Sequence, residues 1–191
     1  MNRVNSDKRG DDKMIIQTGM RTDIPAFYSK WFLNRIKEGY VCVRNPYNPK
    51  QVTKYSLSPE VVDLIAFCTK NPLPMLPFLD ELKPYGQYWF VTITPYGRDI
   101  EPNVPDKETV MEGFKALSDV VGADSMGWRY DPIFISDVYN VEYHKRAFSQ
   151  IAAALDGYAT RCVFSFIDLY GKVAGNMARI HGRAPDADEA E

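Results

Sequence analysis

Arg129 and Asp131 stand two apart in the segment WRYDPIF (128–134), at the end of an apolar and aromatic run that a proline closes. On a strand, residues i and i+2 share a face, so the two side chains can grip a ligand between them or grip each other. Similar groups follow every other β-like run. MRTD supplies Arg21, Thr22 and Asp23, and TKNP supplies Thr69, Lys70 and Asn71. TITPYGRD supplies Thr92, Thr94, Tyr96 and Arg98, and the last run carries Ser165 and Asp168. Arginine captures a carboxylate or phosphate through two parallel hydrogen bonds, and lysine adds a point charge. The combination points to an anionic small molecule near Arg21, Lys70 and Arg129. Asp131 or Asp168 would orient it, act as a base or ligate a metal, which makes Arg129, Asp131 and Asp168 the candidate catalytic group. Thr22, Asp23, Thr69, Asn71, Thr92, Thr94 and Ser165 complete the candidate ligand-binding set. Each group also has a purely structural reading. Asp23 is well placed to cap a helix, Lys70 and Asn71 to solvate a turn before Pro72, Asp168 to open a last helix, and Arg129 with Asp131 to form an ion pair.

Ligands in parallel α/β folds sit beyond the carboxyl ends of the strands, so these groups can act together only if the strands run parallel. The pattern of elements predicts that they do. MIIQTG reads as a short buried strand, with Met14 as a natural start after a charged, aperiodic and disordered leader over 1–13. Ile24, Phe27, Tyr28, Trp31, Phe32 and Ile36 then follow the spacing of one apolar helix face, with Asp23 as cap, Pro25 in the first turn and Gly39 as stop. YVCVRNPYNPKQVTKYSLS holds two short β-like runs around an Asn-Pro loop, a hairpin or an ordered loop. VVDLIAFCT reads as a buried strand, although Pro59 could equally open a helix there. A short helix, MLPFLDELK, precedes the β-prone QYWFVTIT.

Strand and helix keep alternating. PDKETVMEGFKALSDVVG is a helix capped by Asp106, with Val110, Phe114, Leu117 and Val121 as its stripe and Gly122 as its stop. SMGWRY is a strand, the helix over 140–156 packs with Phe148, Ile151, Ala152 and Leu155 before Gly157 ends it, and RCVFSFI is the next strand. The fold class is therefore α/β, with a mostly parallel sheet, right-handed crossovers and about five βα units. A closed eight-unit barrel needs roughly 250 residues. The expectation is a partial or incomplete (β/α) barrel as a single domain over 14–170, with a weak helix and an acidic disordered tail over 171–191. An incomplete barrel exposes an apolar sheet edge, so a non-catalytic, self-associating module is the second expectation.

Bulk chemistry narrows the partners. With 23 Lys and Arg against 25 Asp and Glu, the net charge of −2 argues against a general binder of nucleic-acid backbones. No run approaches the ~20 apolar residues of a membrane span, and no secretory signal opens the chain, so the expected location is cytoplasmic. Cys42, Cys68 and Cys162 are widely separated, with no CxxC spacing, so no ready-made zinc or iron–sulfur site is visible. Cys68 and Cys162 lie in apolar runs and read as small core residues, and His144 reads as a helix surface or boundary residue. The chain holds no GxGxxG, GxxxxGK[ST] or GxSxG, which leaves dinucleotide, P-loop and nucleophile-elbow chemistry without their usual support. The residues alone name no cofactor.

RTDIPAFYSKWFLNRI, TKNPLPML, TITPYG, WRYDPIF and CVFSFIDLY, in that order, resemble a bacterial family catalogued as domain of unknown function 1848. The resemblance covers residues 14–170. It implies a relative of the radical S-adenosylmethionine enzymes, with a barrel-like α/β fold and an iron–sulfur cluster held by cysteines near the family's C-terminus. Those ligands are absent from this chain. Around 17–20 the family more often has a serine and a second arginine, and it continues past FIDLY where this chain turns to GKVAGNMARIHGRAPDADEAE. The expectation is a truncated or frameshifted N-terminal part that keeps the mouth of a site without its redox half.

Overall fold

The computed structural model describes residues 14–190. In chain order the elements are β1 (Met14–Gln17), α1 (Ile24–Phe27), α2 (Ser29–Glu38), β2 (Tyr40–Arg44), β3 (Val52–Ser56), β4 (Val62–Thr69), 3-10 turns over Leu73–Leu82, β5 (Gly86–Thr92), α3 (Lys107–Val121), β6 (Met126–Ile133), α4 (Val141–Ala154), β7 (Arg161–Phe166) and α5 (Gly171–Arg179). The leader over 1–13 lies outside the described residues. Five strands form one sheet in the order β1-β4-β5-β6-β7, and every neighbouring pair is parallel. β2 and β3 pair with each other as an antiparallel hairpin. The expected α/β class with a mostly parallel sheet therefore holds; the sheet is not closed and does not establish the expected partial barrel. The strand order also lacks the reversal that creates the ligand crevice of a doubly wound fold.

Alternation along the central strands explains where the core sits. Ile65 and Phe67 of β4, Trp89 and Val91 of β5, and Met126, Trp128 and Tyr130 of β6 are buried in one cluster with Phe32 and Leu33 of α2, Phe114 and Leu117 of α3, and Ile151 of α4. Residues of the opposite parity, Leu64, Ala66, Cys68, Tyr88, Phe90, Arg129 and Asp131, are half-buried. Over that second face the Tyr88 and Phe90 rings meet edge to face at 4.8 Å and lean across Gly127, where a Cβ would lie 2.9 Å from the Tyr88 hydroxyl. The sheet thus has a packed face and a half-open face, and the charged pair of β6 is on the half-open one.

Several expectations need correction. The helix expected over 24–36 breaks at Tyr28 (φ −131°, ψ 22°), so a single capped turn precedes α2. The break resets the helical phase: Phe27, Tyr28 and Trp31 are exposed, and Leu33 joins Phe32 in the core. MLPFLDELK forms 3-10 turns rather than an α-helix, because Pro77 in its interior removes an amide donor. VVDLIAFCT is a strand, as preferred. Cys68 is only half-buried and Cys162 is exposed, since one lies on the half-open face and the other on the terminal strand β7.

His144 is buried, not at the surface. Its Nε2 lies 2.9 Å from the Phe134 carbonyl and its Nδ1 2.9 Å from the Tyr130 hydroxyl. A carbonyl can only accept, so the neutral ring carries its proton on Nε2, and Nδ1 accepts from the Tyr130 hydroxyl. The rings of Tyr96, Tyr130 and Tyr143 surround it. Burial pulls the imidazole below its ordinary value of 6.5, so the folded state refuses a proton that the unfolded chain accepts below that value. Stability should be full above about pH 6.5 and fall as the pH drops through it, by at most about 1.4 kcal/mol per unit. Urea midpoints at pH 7.5 and 5.5 check this: the difference should shrink in His144→Gln, and an unchanged difference would assign the slope to other groups.

Candidate functional site

Because all five strands of the sheet are parallel, their carboxyl ends share one edge. Two clusters form there. In the first, Arg129 Nη2 donates to Asp131 Oδ2, and Asp131 Oδ1 accepts from the Ser165 hydroxyl of β7. Arg129 Nη1 also donates to Cys68 Sγ of β4 at 3.4 Å. Thr92 of β5 is the register partner of Arg129, so the guanidinium reaches across the central strand to β4, while Asp131 links it to Ser165 of β7. Side-chain exposures of 32% for Arg129 and 21% for Asp131 leave this pair reachable from solvent. The structural ion pair foreseen for these residues is formed. The peptide that follows it, Asp131–Pro132, is cis.

The second cluster begins two residues beyond Cys68. Lys70 Nζ pairs with Glu101 Oε1, while Glu101 Oε2 accepts from the Thr94 hydroxyl at 2.7 Å. Nearby, Lys107 Nζ donates to the Tyr96 carbonyl. Burial lowers the pKa of Lys107; Glu101 opposes that shift and the positive charge of Lys70 adds to it. Glu101 was not among the sequence candidates. It sits in the loop after β5, where the Glu101 amide bonds the Gly97 carbonyl at 2.9 Å, and no periodicity marks such a turn. The only signal was a carboxylate a few residues beyond TITPYG.

Several other candidates are occupied with shaping the loops. Asp23 Oδ1 caps α1 by accepting from the Ala26 amide at 3.0 Å, and its Oδ2 accepts from the Lys70 amide at 2.8 Å. One carboxylate thereby ties the β1–α1 turn to the end of β4. Thr69 Oγ1 accepts from the Asn71 amide and Asn71 Oδ1 from the Leu73 amide, which shapes the turn into the 3-10 segment. Thr92 and Thr94 are buried, and Asp168 is exposed outside both clusters. Arg21 belongs elsewhere. Its Nη2 donates to the Arg44 carbonyl of the hairpin at 3.1 Å, and with Thr22 it lines a cavity of about 750 Å³ between β1, α2 and the hairpin. Lys70 and Arg129 do not line that cavity.

No group of three His, Cys, Asp or Glu that could hold a metal ion forms among the described residues. Cys42, Cys68 and Cys162 lie on β2, β4 and β7, and this spread does not fit the thiolate set of an iron–sulfur cluster. Among the described residues no helix is long and apolar enough to cross a membrane. A family model described as Domain of unknown function (DUF1848) matches residues 15–191, running on through the segment after Tyr170 where the sequence resemblance stops. No curated protein and no solved structure matches the chain.

Proposed function

The chain belongs to the family described as domain of unknown function (DUF1848), and we propose that it is an α/β protein whose parallel strand ends bind an anionic small molecule. The observation that carries this reading is Arg129, a half-exposed guanidinium anchored by Asp131 and Cys68 on the half-open sheet face. Asp131 is itself held by Ser165, so the fork is oriented before any ligand arrives, which lowers the entropic cost of binding. Lys70 and Lys107 add positive charge beyond the neighbouring strands. Arg129 makes the primary contact in this reading, Asp131 orients it, and Lys70 exchanges Glu101 for the incoming anion. Kinship with radical S-adenosylmethionine enzymes and a cytoplasmic bacterial setting belong to the same reading, although the three cysteines described do not fit an iron–sulfur cluster. Calorimetric titration with inorganic phosphate, AMP and succinate tests the site. Saturable binding of at least one, lost on replacing Arg129, is expected; three flat titrations would sink the proposal.

A second reading rests on β7. Val163, Phe164, Phe166, Leu169 and Tyr170 are exposed along and just after the terminal strand, an apolar edge suited to pairing with another copy. Sedimentation velocity should show a concentration-dependent dimer that Phe164→Lys disperses. A compact monomer at all concentrations removes this reading.

A further inference from the structure

The cavity between β1, α2 and the β2–β3 hairpin stands apart from the strand-end clusters, and we propose that it binds an amphipathic anion: a carboxylate borne on an apolar chain. Its volume of about 750 Å³ falls within the range of small-molecule sites. Ile15, Ile24, Trp31, Val41 and Tyr55 are among its walls, and Ile15, Trp31 and Tyr55 are 66%, 46% and 42% exposed. Large apolar side chains left exposed together around one concavity mark a surface that an apolar body covers.

The charge of the lining selects the other end of the ligand. Among the described residues, Arg21, Arg35 and Arg44 line the cavity and no Asp or Glu does. In a chain with 25 acidic and 23 basic residues, that one-sided lining is not an average sample of the surface. The bond from Arg21 to the Arg44 carbonyl draws two of these residues to the same rim, and the Arg35 guanidinium lies 5.8 Å from the Tyr40 ring. Positive charges gathered around one concavity favour an anion there, and the guanidinium fork matches a carboxylate. Residues 1–13, MNRVNSDKRGDDK, offer only Met1 and Val4 as larger apolar side chains and are poorly suited to fill such walls. A second copy is also a poor occupant, because a twofold contact would set the same arginines against each other without a carboxylate.

Trp31 lines the cavity, whereas Trp89 and Trp128 are 0% and 3% exposed in the core. Tryptophan emission of the full chain therefore reports occupancy. Titration with decanoate below its micelle concentration should be saturable, with calorimetry giving one molecule per chain. Decyltrimethylammonium, with the same chain and opposite charge, should bind about tenfold more weakly or worse. Octanoate should bind roughly fifteenfold more weakly than decanoate, since each of the two buried methylenes it lacks is worth about a fourfold change in affinity. Arg35→Gln and Arg44→Gln should each weaken decanoate about tenfold with an unchanged unfolding midpoint; Arg44, exposed on the hairpin, keeps the test valid if Arg35→Gln fails to fold. Absent or unsaturable binding, equal affinity for the ammonium, or indifference to both substitutions overturns the proposal. So does loss of decanoate binding as the protein dimerises, which would give the cavity to a second copy.

Discussion

Trp89→Ala should lower the free energy of unfolding by about 3–5 kcal/mol, the range for a large aromatic side chain removed from a core. Trp89 is fully buried on β5, the middle strand of the sheet, and its ring stacks on Phe67 of β4 at 3.9 Å and 19°. Phe67 in turn meets Phe32 of α2 edge to face at 5.6 Å. The indole thus lies at the start of a relay from the sheet to the first helix layer. Aromatic side chains bury roughly 150–250 Å², which at about 25 cal/mol/Å² corresponds to roughly 4–6 kcal/mol of transfer free energy. The Trp89 indole N–H also donates to Gln87 Oε1 at 3.1 Å, so truncation strands one polar partner. Against a typical domain stability of about 5–15 kcal/mol, such a loss leaves the chain marginal at best. Urea unfolding of Trp89→Ala and Trp89→Phe checks this. The phenylalanine variant, which keeps a ring against Phe67, should recover more than half of the loss, and a loss of about 1 kcal/mol or less in the alanine variant would show that the stack carries little.

Arg129→Ala should abolish measurable binding of the strand-end anion, a fall of about a hundredfold or more for a charged, bidentate contact. The difficulty is that Arg129 also neutralises Asp131, so truncating it alone leaves a half-buried carboxylate without its partner. Loss of binding in the single variant would then be open to a structural explanation. Replacing both members, Arg129→Met with Asp131→Leu, removes the pair together, and a paired replacement by apolar groups is often close to neutral for stability. The double variant should therefore unfold near the wild-type midpoint while failing to bind. Arg129→Lys supplies the third arm: it keeps the charge but not the fork, and should retain partial affinity. Full binding by the folded double variant would remove Arg129 and Asp131 from the site.

Local signals carried most of the fold. Asp23 and Asp106 were legible as caps because a carboxylate three residues before an amide has one short bond to make, and both make it. The sheet strands were legible because β-branched and aromatic runs recur between helical stripes, and parallel pairing follows from that alternation. What escaped depends on contacts distant in sequence or on phase. The backbone at Tyr28 departs from helical geometry without a proline or glycine at that position, so the apolar stripe read through it continued onto the wrong face. His144 looked like a surface residue because neither partner that buries it, the Phe134 carbonyl nor the Tyr130 hydroxyl, is its neighbour in the chain. In the candidate site, the Arg129–Asp131 pair was legible from its spacing of two. The third member, Ser165, was read as a candidate ligand contact rather than as the partner of Asp131, and Glu101 was missed because a loop has no period from which to infer direction.

The order of strands in the sheet also bears on how the chain acquires its structure during translation. β4 pairs with β1, β5 with β4, β6 with β5 and β7 with β6, so every strand of the sheet docks on one that has already left the ribosome. At roughly 5–20 residues per second, each template waits only seconds for its successor. The entropic cost of closing the intervening loops grows by only about 0.6 kcal/mol for each doubling of their length. No ladder requires the first strand to find the last. The sheet can therefore be laid down in the order in which it is translated, with both partners of the Phe67–Trp89 stack in place before β6 and β7 are made.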